Sequence, residues 1–91
     1  MRRMLRLLAA ASVLHAGLVL AAPPVDINTA DAEALAAAIT GVGMTKARAI
    51  IAYRDQNGPF TSVDDLVLVR GIGPRTIEAS RENLTVEPGA R

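Results

Sequence analysis

Hydrophobic residues after position 28 recur at the three- and four-residue spacing of helices, and this pattern predicts four helices. The first helix begins at Asn28 or Thr29, because either side chain is a favoured helix cap, and it ends at Gly41. The second runs from about residue 44 to residue 56. It ends at Gly58-Pro59, because glycine accepts the left-handed cap conformation and proline forbids continuation.

The third and fourth helices follow a short connector. Ser62 is the predicted cap of the third helix, and Asp65, three residues later, completes a capping box. Leu66 and Val69 then face the core. Pro74 lies at the first position of the fourth helix, where its missing N–H has no cost. No strand is predicted anywhere in the chain.

One short phrase occurs twice, as Gly41-Val42-Gly43 and again 30 residues later as Gly71-Ile72-Gly73. Each copy follows one predicted helix and opens the next. Such a turn lets a ligand approach the backbone closely, and a helix start leaves unpaired amide groups that favour an anion. The repeat therefore predicts a module that binds two phosphates at once, as in nucleic acid.

The first 22 residues have the layout of a secretory signal. A basic start is followed by an apolar run, Leu7 to Leu20, and by the small residues Ala21 and Ala22. The run is short for a membrane span, which needs roughly 20 apolar residues, so we expect cleavage after Ala21. Retention as a membrane anchor is the alternative. Residues 23–27 are then a linker, residues 28–86 the domain and residues 87–91 a frayed tail.

The signal also changes how the charge of this 91-residue chain is interpreted. The chain has 10 basic and 9 acidic residues, but from residue 22 onward 7 basic residues face 9 acidic ones, a net charge of −2. Nucleic-acid binding would therefore depend on local geometry rather than on bulk charge. The chain has no cysteine, and its aromatic residues are Tyr53 and Phe60, so base stacking is not the expected mode.

The doubled turn resembles a tandem helix-hairpin-helix domain when two further segments are included, Ile27-Asn28-Thr29-Ala30 and Asn57-Gly58-Pro59-Phe60. More narrowly, residues 25–86 resemble the ComEA-type competence DNA receptors. The resemblance implies an all-α fold with two helix-hairpin-helix motifs related by a pseudo-twofold axis. It further implies that the hairpins contact both strands of duplex DNA across the minor groove without sequence preference, in a receptor for DNA uptake.

The predicted DNA-binding set joins the hairpin residues to nearby cationic and hydroxyl side chains. Its members are Gly41, Val42, Gly43, Thr45, Lys46, Arg70, Gly71, Ile72, Gly73, Arg75 and Thr76. The chain departs from the family pattern at Met44, where proline is common, and at Glu78 and Glu82, where basic residues are common. Because these acids repel phosphate, we expect the second hairpin to bind DNA more weakly than the first.

No catalytic set is visible, because the chain after the signal has no histidine or cysteine and its carboxylates show no metal-ligand clustering. We therefore expect no enzyme, no cofactor and no metal.

The expected partner is duplex DNA, with a pilus or uptake-channel component as a further one. The expected location is periplasmic or secreted, or membrane-anchored if the signal is retained. Two alternatives remain: a protein-docking module in the cell envelope, which suits the net charge, and an accessory subunit of a nucleic-acid enzyme, against which the signal argues.

Overall fold

The computed structural model describes residues 22–87, and this part of the chain is mostly helical. Its elements in chain order are β1 (Val25–Asp26), α1 (Ala32–Ala38), α2 (Gly43–Asn57), a 3-10 helix (Val63–Leu68), α3 (Pro74–Ser80), a second 3-10 helix (Arg81–Asn83) and β2 (Leu84–Thr85). The predicted signal, apart from Ala22, and residues 88–91 of the predicted tail lie outside the described residues.

The start of α1 differs from the prediction, because its cap is Asp31 rather than Asn28 or Thr29. The Asp31 carboxylate accepts a hydrogen bond of 2.8 Å from the amide of Ala34. Asn28 is used elsewhere: its side chain accepts from the amide of Phe60 at 2.7 Å and donates to the carbonyl of the same residue at 2.9 Å. Asn28 thus joins the entry of the domain to the connector between its halves.

The third predicted helix is a 3-10 helix, and the predicted capping box is not formed there. Ser62 makes no side-chain capping bond. The Asp65 carboxylate instead accepts from both the hydroxyl (2.7 Å) and the amide (3.1 Å) of Thr61. These bonds stabilise the carboxylate and lower the pKa of Asp65 below its ordinary value. Asp65 therefore fixes the turn that leads into the helix rather than the helix start itself.

The long helix α2 agrees closely with the sequence pattern and ends where glycine was expected to end it. Gly58 has a φ of 91° and donates its amide to the carbonyl of Arg54 at 2.9 Å. The Arg54 guanidinium also donates to the carbonyl of Ile27 at 2.9 Å. This contact ties the end of α2 to the chain that enters α1.

Within residues 22–87 the core is aliphatic, with one buried aromatic ring. The buried hydrophobic residues of this part are Ile27, Leu35, Ala38, Ile39, Val42, Ala47, Ile50, Phe60, Leu66, Val69, Ile72, Ile77 and Leu84. Phe60 anchors the connector in the core, and half-buried Tyr53 stacks on it with ring centres 5.4 Å apart. Pairs separated by the repeat length, such as Ile39 and Val69, are buried together, so both halves contribute to one core.

The two short strands were not predicted from the sequence. β1 and β2 pair in parallel, with Val25 beside Leu84 and Asp26 beside Thr85. The amide of Ile27 extends the pairing by donating to the carbonyl of Thr85 at 3.1 Å. Two residues are too few to show the alternation that marks a strand. The predicted all-α class is confirmed, with a small strand pair added: β1 lies inside the predicted linker and β2 near the end of the predicted domain.

No single helix within residues 22–87 has the length and apolar character needed to cross a membrane. The helices α1 and α2 meet that test of length and composition only as a pair, with a bend of 119° between them.

Candidate nucleic-acid interface

The two hairpins close with the same backbone hydrogen bond. In the first, the amide of Val42 donates to the carbonyl of Ile39 at 3.2 Å. In the second, 30 residues later, the amide of Ile72 donates to the carbonyl of Val69 at 3.1 Å. Both bonds join residues three apart, as in a four-residue turn. The sequence repeat is therefore also a repeat of local structure.

The first glycine of each hairpin is required by its backbone conformation. Gly41 and Gly71 have φ values of 82° and 94° at the third position of their turns. A type II turn places positive φ at this position, and side chains other than hydrogen are strained there. The second glycines differ: Gly43 has a φ of 69°, whereas Gly73 has a φ of −105°, which any residue adopts. The hairpins are alike where they begin and different where they lead into their helices.

The hydrophobic residue in the centre of each hairpin points into the core. Val42 is 5% exposed and Ile72 is 4% exposed, so their side chains do not present a surface to a ligand. Both were in the predicted binding set. The structure limits any contact of theirs to the backbone and gives their side chains the role of anchoring each hairpin to the core.

Three exposed cations flank the hairpins: Lys46 in the first turn of α2, Arg70 before the second hairpin and Arg75 in α3. No carboxylate within residues 22–87 lies within 4.0 Å of their charged groups. The repeat length pairs Lys46 with half-buried Thr76 and Arg75 with exposed Thr45. In the first half the threonine precedes the cation, and in the second half the cation precedes the threonine.

The Lys46 side chain crosses from the first repeat to the second hairpin. A Cβ atom placed on Gly71 would lie 3.1 Å from Lys46 Cε, 3.5 Å from Cδ and 3.7 Å from Cγ. The aliphatic stem of the lysine therefore lies on the bare backbone of the second hairpin. This contact brings together two residues of the predicted set that are 25 positions apart in the sequence.

One of the two acids that were expected to weaken the second hairpin is paired. The Arg81 guanidinium contacts the carboxylates of both Glu78 and Asp64, and these two acids raise the pKa of Arg81. Glu82 is exposed and lies in the second 3-10 helix rather than in α3. Arg81 therefore offsets only part of the negative charge of Glu78 and Asp64, which together carry two charges against its one, at an exposed site where such pairs contribute little to stability.

Two residues outside the predicted set connect the second half to the first hairpin. Ser80 is 1% exposed, and its hydroxyl accepts the amide of Thr40 at 2.9 Å. Asn83 donates its side-chain amide to the carbonyl of Ala38 at 3.2 Å. The repeat carries a signal for this contact, because Ser80 is polar at the position that corresponds to buried Ile50. A polar residue at a core position needs a partner, and here the partner belongs to the other repeat.

Within residues 22–87, no group of three or more acidic or histidine side chains could hold a metal ion. Two cavities in the described part of the chain, of about 220 and 390 Å³, have no hairpin glycine in their lining, although Pro74, next to Gly73, lines the smaller one. The absence of an enzymatic activity stays a prediction.

The architecture defined by these two turns is that of a known family. The family model for the helix-hairpin-helix motif matches residues 21–85, so the chain belongs to the helix-hairpin-helix family. Within this family it is ComEA-like. It is 48% identical over 63 residues to ComE operon protein 1 of Bacillus subtilis, which covers 69% of this chain and 30% of that protein.

Other relatives contain the same segment in different settings. An uncharacterized protein of Haemophilus influenzae is 41% identical over 65% of this chain and 53% of its own length. The transcriptional accessory protein Tex of Neisseria gonorrhoeae is 43% identical over 71% of this chain but only 8% of its own length. The chain thus spans about half or less of these curated relatives. No solved structure matches it significantly.

Proposed function

We propose that this protein is an exported, non-enzymatic receptor that binds duplex DNA without sequence preference during DNA uptake. Membership of the helix-hairpin-helix family and the similarity to ComE operon protein 1 support a DNA-binding role in competence. The two hairpins would hold backbone phosphates of the two strands. The fit between a doubled motif and a double-stranded, regularly charged ligand makes duplex DNA the favoured polyanion.

The observation that carries this proposal is the contact of Lys46 with Gly71. It supports the proposal because it places the first turn of α2, which follows the first hairpin, against the backbone of the second hairpin. Exposed Arg70 and Arg75 add two further positive charges in the chain segment around the second hairpin. A domain with a net charge of −2 therefore has cations without carboxylate partners, among the described residues, in the segment around its second hairpin.

The lack of sequence preference follows from the type of groups present. Backbone amides and flexible cations contact phosphates, which carry no direct sequence information. The two aromatic rings stack on each other, and Phe60 is buried, so they offer no platform for bases. The three cations predict that log K falls with log salt with a slope of about −2.7, because each neutralised phosphate contributes roughly −0.9.

The test is fluorescence anisotropy of residues 22–91 with two duplexes of unrelated sequence and the matching single strand, over a salt series. We expect equal affinity for the duplexes, weaker binding to the single strand, and a loss of roughly 40-fold when salt rises fourfold. Arg75→Gln should reduce the slope by about 1, and Arg48→Gln, which removes an equal charge from an exposed site on α2, should reduce it less. Affinity that ignores salt, or no binding at low salt, contradicts the proposal.

Export is proposed from the signal-like first 22 residues, and it has its own test. Mass spectrometry of the protein from the cell envelope is expected to give an N-terminus at Ala22. An intact Met1 in the membrane fraction would favour the anchored form, and intact protein in the cytosol would contradict export.

A protein-docking role is the second candidate, and one observation favours it. Val67 and Leu68 are 47% and 59% exposed on the 3-10 helix, next to the second hairpin. An exposed apolar pair on a domain of net charge −2 is a feature of surfaces that bind other proteins. Docking without DNA binding predicts that the duplex fails to bind at low salt while crosslinking through a probe at Leu68 recovers one defined envelope protein, such as a pilus or channel component.

A further inference from the structure

We infer that Lys46, although it belongs to the helix of the first repeat, is a phosphate-binding residue of the second hairpin. This inference rests on the proposed DNA-binding function and deepens it. The ligand is a phosphodiester of the nucleic-acid backbone, and the second hairpin becomes the principal site for it. The sequence alone favoured the opposite ranking, because Glu78 and Glu82 follow the second hairpin.

The path of the Lys46 side chain is the first step of the argument. Three consecutive carbons of its stem, Cγ, Cδ and Cε, lie within 3.1–3.7 Å of the position that a Cβ of Gly71 would occupy. The distance shortens toward the charged end of the side chain. The ammonium group therefore extends from the backbone of the second hairpin, with the stem packed on Gly71 and the charge in solvent, as is usual for lysine.

The second step is that, in the described part of the chain, no side chain makes an equivalent contact with the glycines of the first hairpin. A Cβ placed on Gly41 or on Gly43 would meet no atom within 4 Å. The residue that corresponds to Lys46 in the second repeat is Thr76, whose side chain is too short to cross in the same way. Among the described residues, the contact of Lys46 with the second hairpin therefore has no counterpart at the glycines of the first hairpin.

The balance of charge around the second hairpin is the third step. Arg70 directly precedes Gly71, and Arg75 follows Gly73 by two positions, so Lys46 adds a third positive charge to this segment. Glu78, the acid closest along the chain, is held by Arg81 together with Asp64. A phosphate near the second hairpin would therefore meet three cations without carboxylate partners among the described residues.

The test is a two-dimensional NMR titration of 15N-labelled protein, residues 22–91, with a short duplex. The amide signals of Gly71 and Gly73 report on the second hairpin, and those of Gly41 and Gly43 report on the first. In the Lys46→Gln variant we expect the DNA-induced chemical-shift changes to become smaller, mainly at Gly71 and Gly73. We also expect duplex affinity to drop roughly tenfold, which corresponds to about 1.4 kcal/mol.

Arg48→Gln is the matched control, because it removes one positive charge from an exposed position of the same helix. It should lower affinity less than Lys46→Gln and should reduce the shifts at both hairpins evenly. A loss in Lys46→Gln that falls mainly on Gly41 and Gly43, or evenly on both hairpins, overturns the assignment of Lys46 and leaves DNA binding intact. Wild-type protein that shows no saturable shift at low salt overturns the proposed function and this inference together.

Discussion

The four hairpin glycines should differ sharply in their tolerance of alanine, and the second hairpin offers the clearest comparison. Gly71 has a φ of 94°, and an added Cβ would lie 3.1 Å from Lys46 Cε. Gly73 has a φ of −105°, and an added Cβ would meet no atom within 4 Å. The same methyl group, added two residues apart, thus enters a strained backbone in one case and open space in the other.

The cost at Gly71 comes mainly from the backbone. A left-handed conformation costs an alanine roughly 1–2 kcal/mol relative to glycine. Lys46 adds little, because its stem is flexible and can move aside. Since 1 kcal/mol shifts the midpoint of a domain of this size by roughly 4–8 °C, Gly71→Ala should lower the thermal midpoint by about 4–16 °C.

The cost at Gly73 should be close to zero for the fold. Alanine reduces the entropy of the unfolded chain, which stabilises by about 0.4–1 kcal/mol where the native conformation is compatible. Alanine is a poorer helix cap than glycine, which offsets this gain by a few tenths or more. The two effects leave a net change within about 0.5 kcal/mol.

Thermal unfolding followed by circular dichroism, with duplex binding measured on the same samples, tests this comparison. Gly73→Ala should keep the wild-type midpoint and still lose DNA affinity, because its methyl group points to where a phosphate would approach. If Gly73→Ala is as destabilised as Gly71→Ala, the assigned difference between the glycine backbones is wrong. If it folds and binds normally, DNA does not come close to the backbone there.

Two further predictions concern contacts that hold the halves and the connector together. Ser80→Ala removes the part-buried hydrogen bond that the buried Ser80 hydroxyl accepts from the amide of exposed Thr40, so it should destabilise the domain by about 0.5–1.5 kcal/mol. Exposed Thr29→Ala is the control, and equal midpoints for the two variants contradict this role of Ser80. The pKa of Asp65 is below its ordinary 3.8, so its stabilising effect is present above about pH 4 and is lost as the pH falls through its folded pKa. Asp65→Asn should therefore flatten the dependence of the thermal midpoint on pH below about 4, and an unchanged acid limb would contradict the contribution of the Thr61 bonds.

The elements with strong local signals were predictable from the sequence. Gly58 ends α2 and Pro74 begins α3 as expected, because each residue has a conformational restriction or freedom that acts locally. The doubled glycine phrase likewise indicated the two turns, since positive φ at Gly41 and Gly71 is a property of the turn itself.

The features that were missed depend on distant partners. The cap of α1 is Asp31 because Asn28 is engaged with Phe60, 32 residues away, and no local pattern reveals that competition. The crossing of Lys46 onto Gly71 also depends on how the two repeats pack. The sequence places Lys46 three positions after the first hairpin, and only the packing of the repeats brings its side chain to the second.

The pairing of β1 with β2 has a mechanical consequence. Because the strands are parallel, the chain enters the domain at one end of the pair and leaves it at the other end. Tension applied between the two termini would pull the strands along their length in opposite directions. The hydrogen bonds between them, including that from Ile27 to Thr85, would then share the load in shear rather than open one after another. A domain that is pulled while it holds DNA would resist first at this junction.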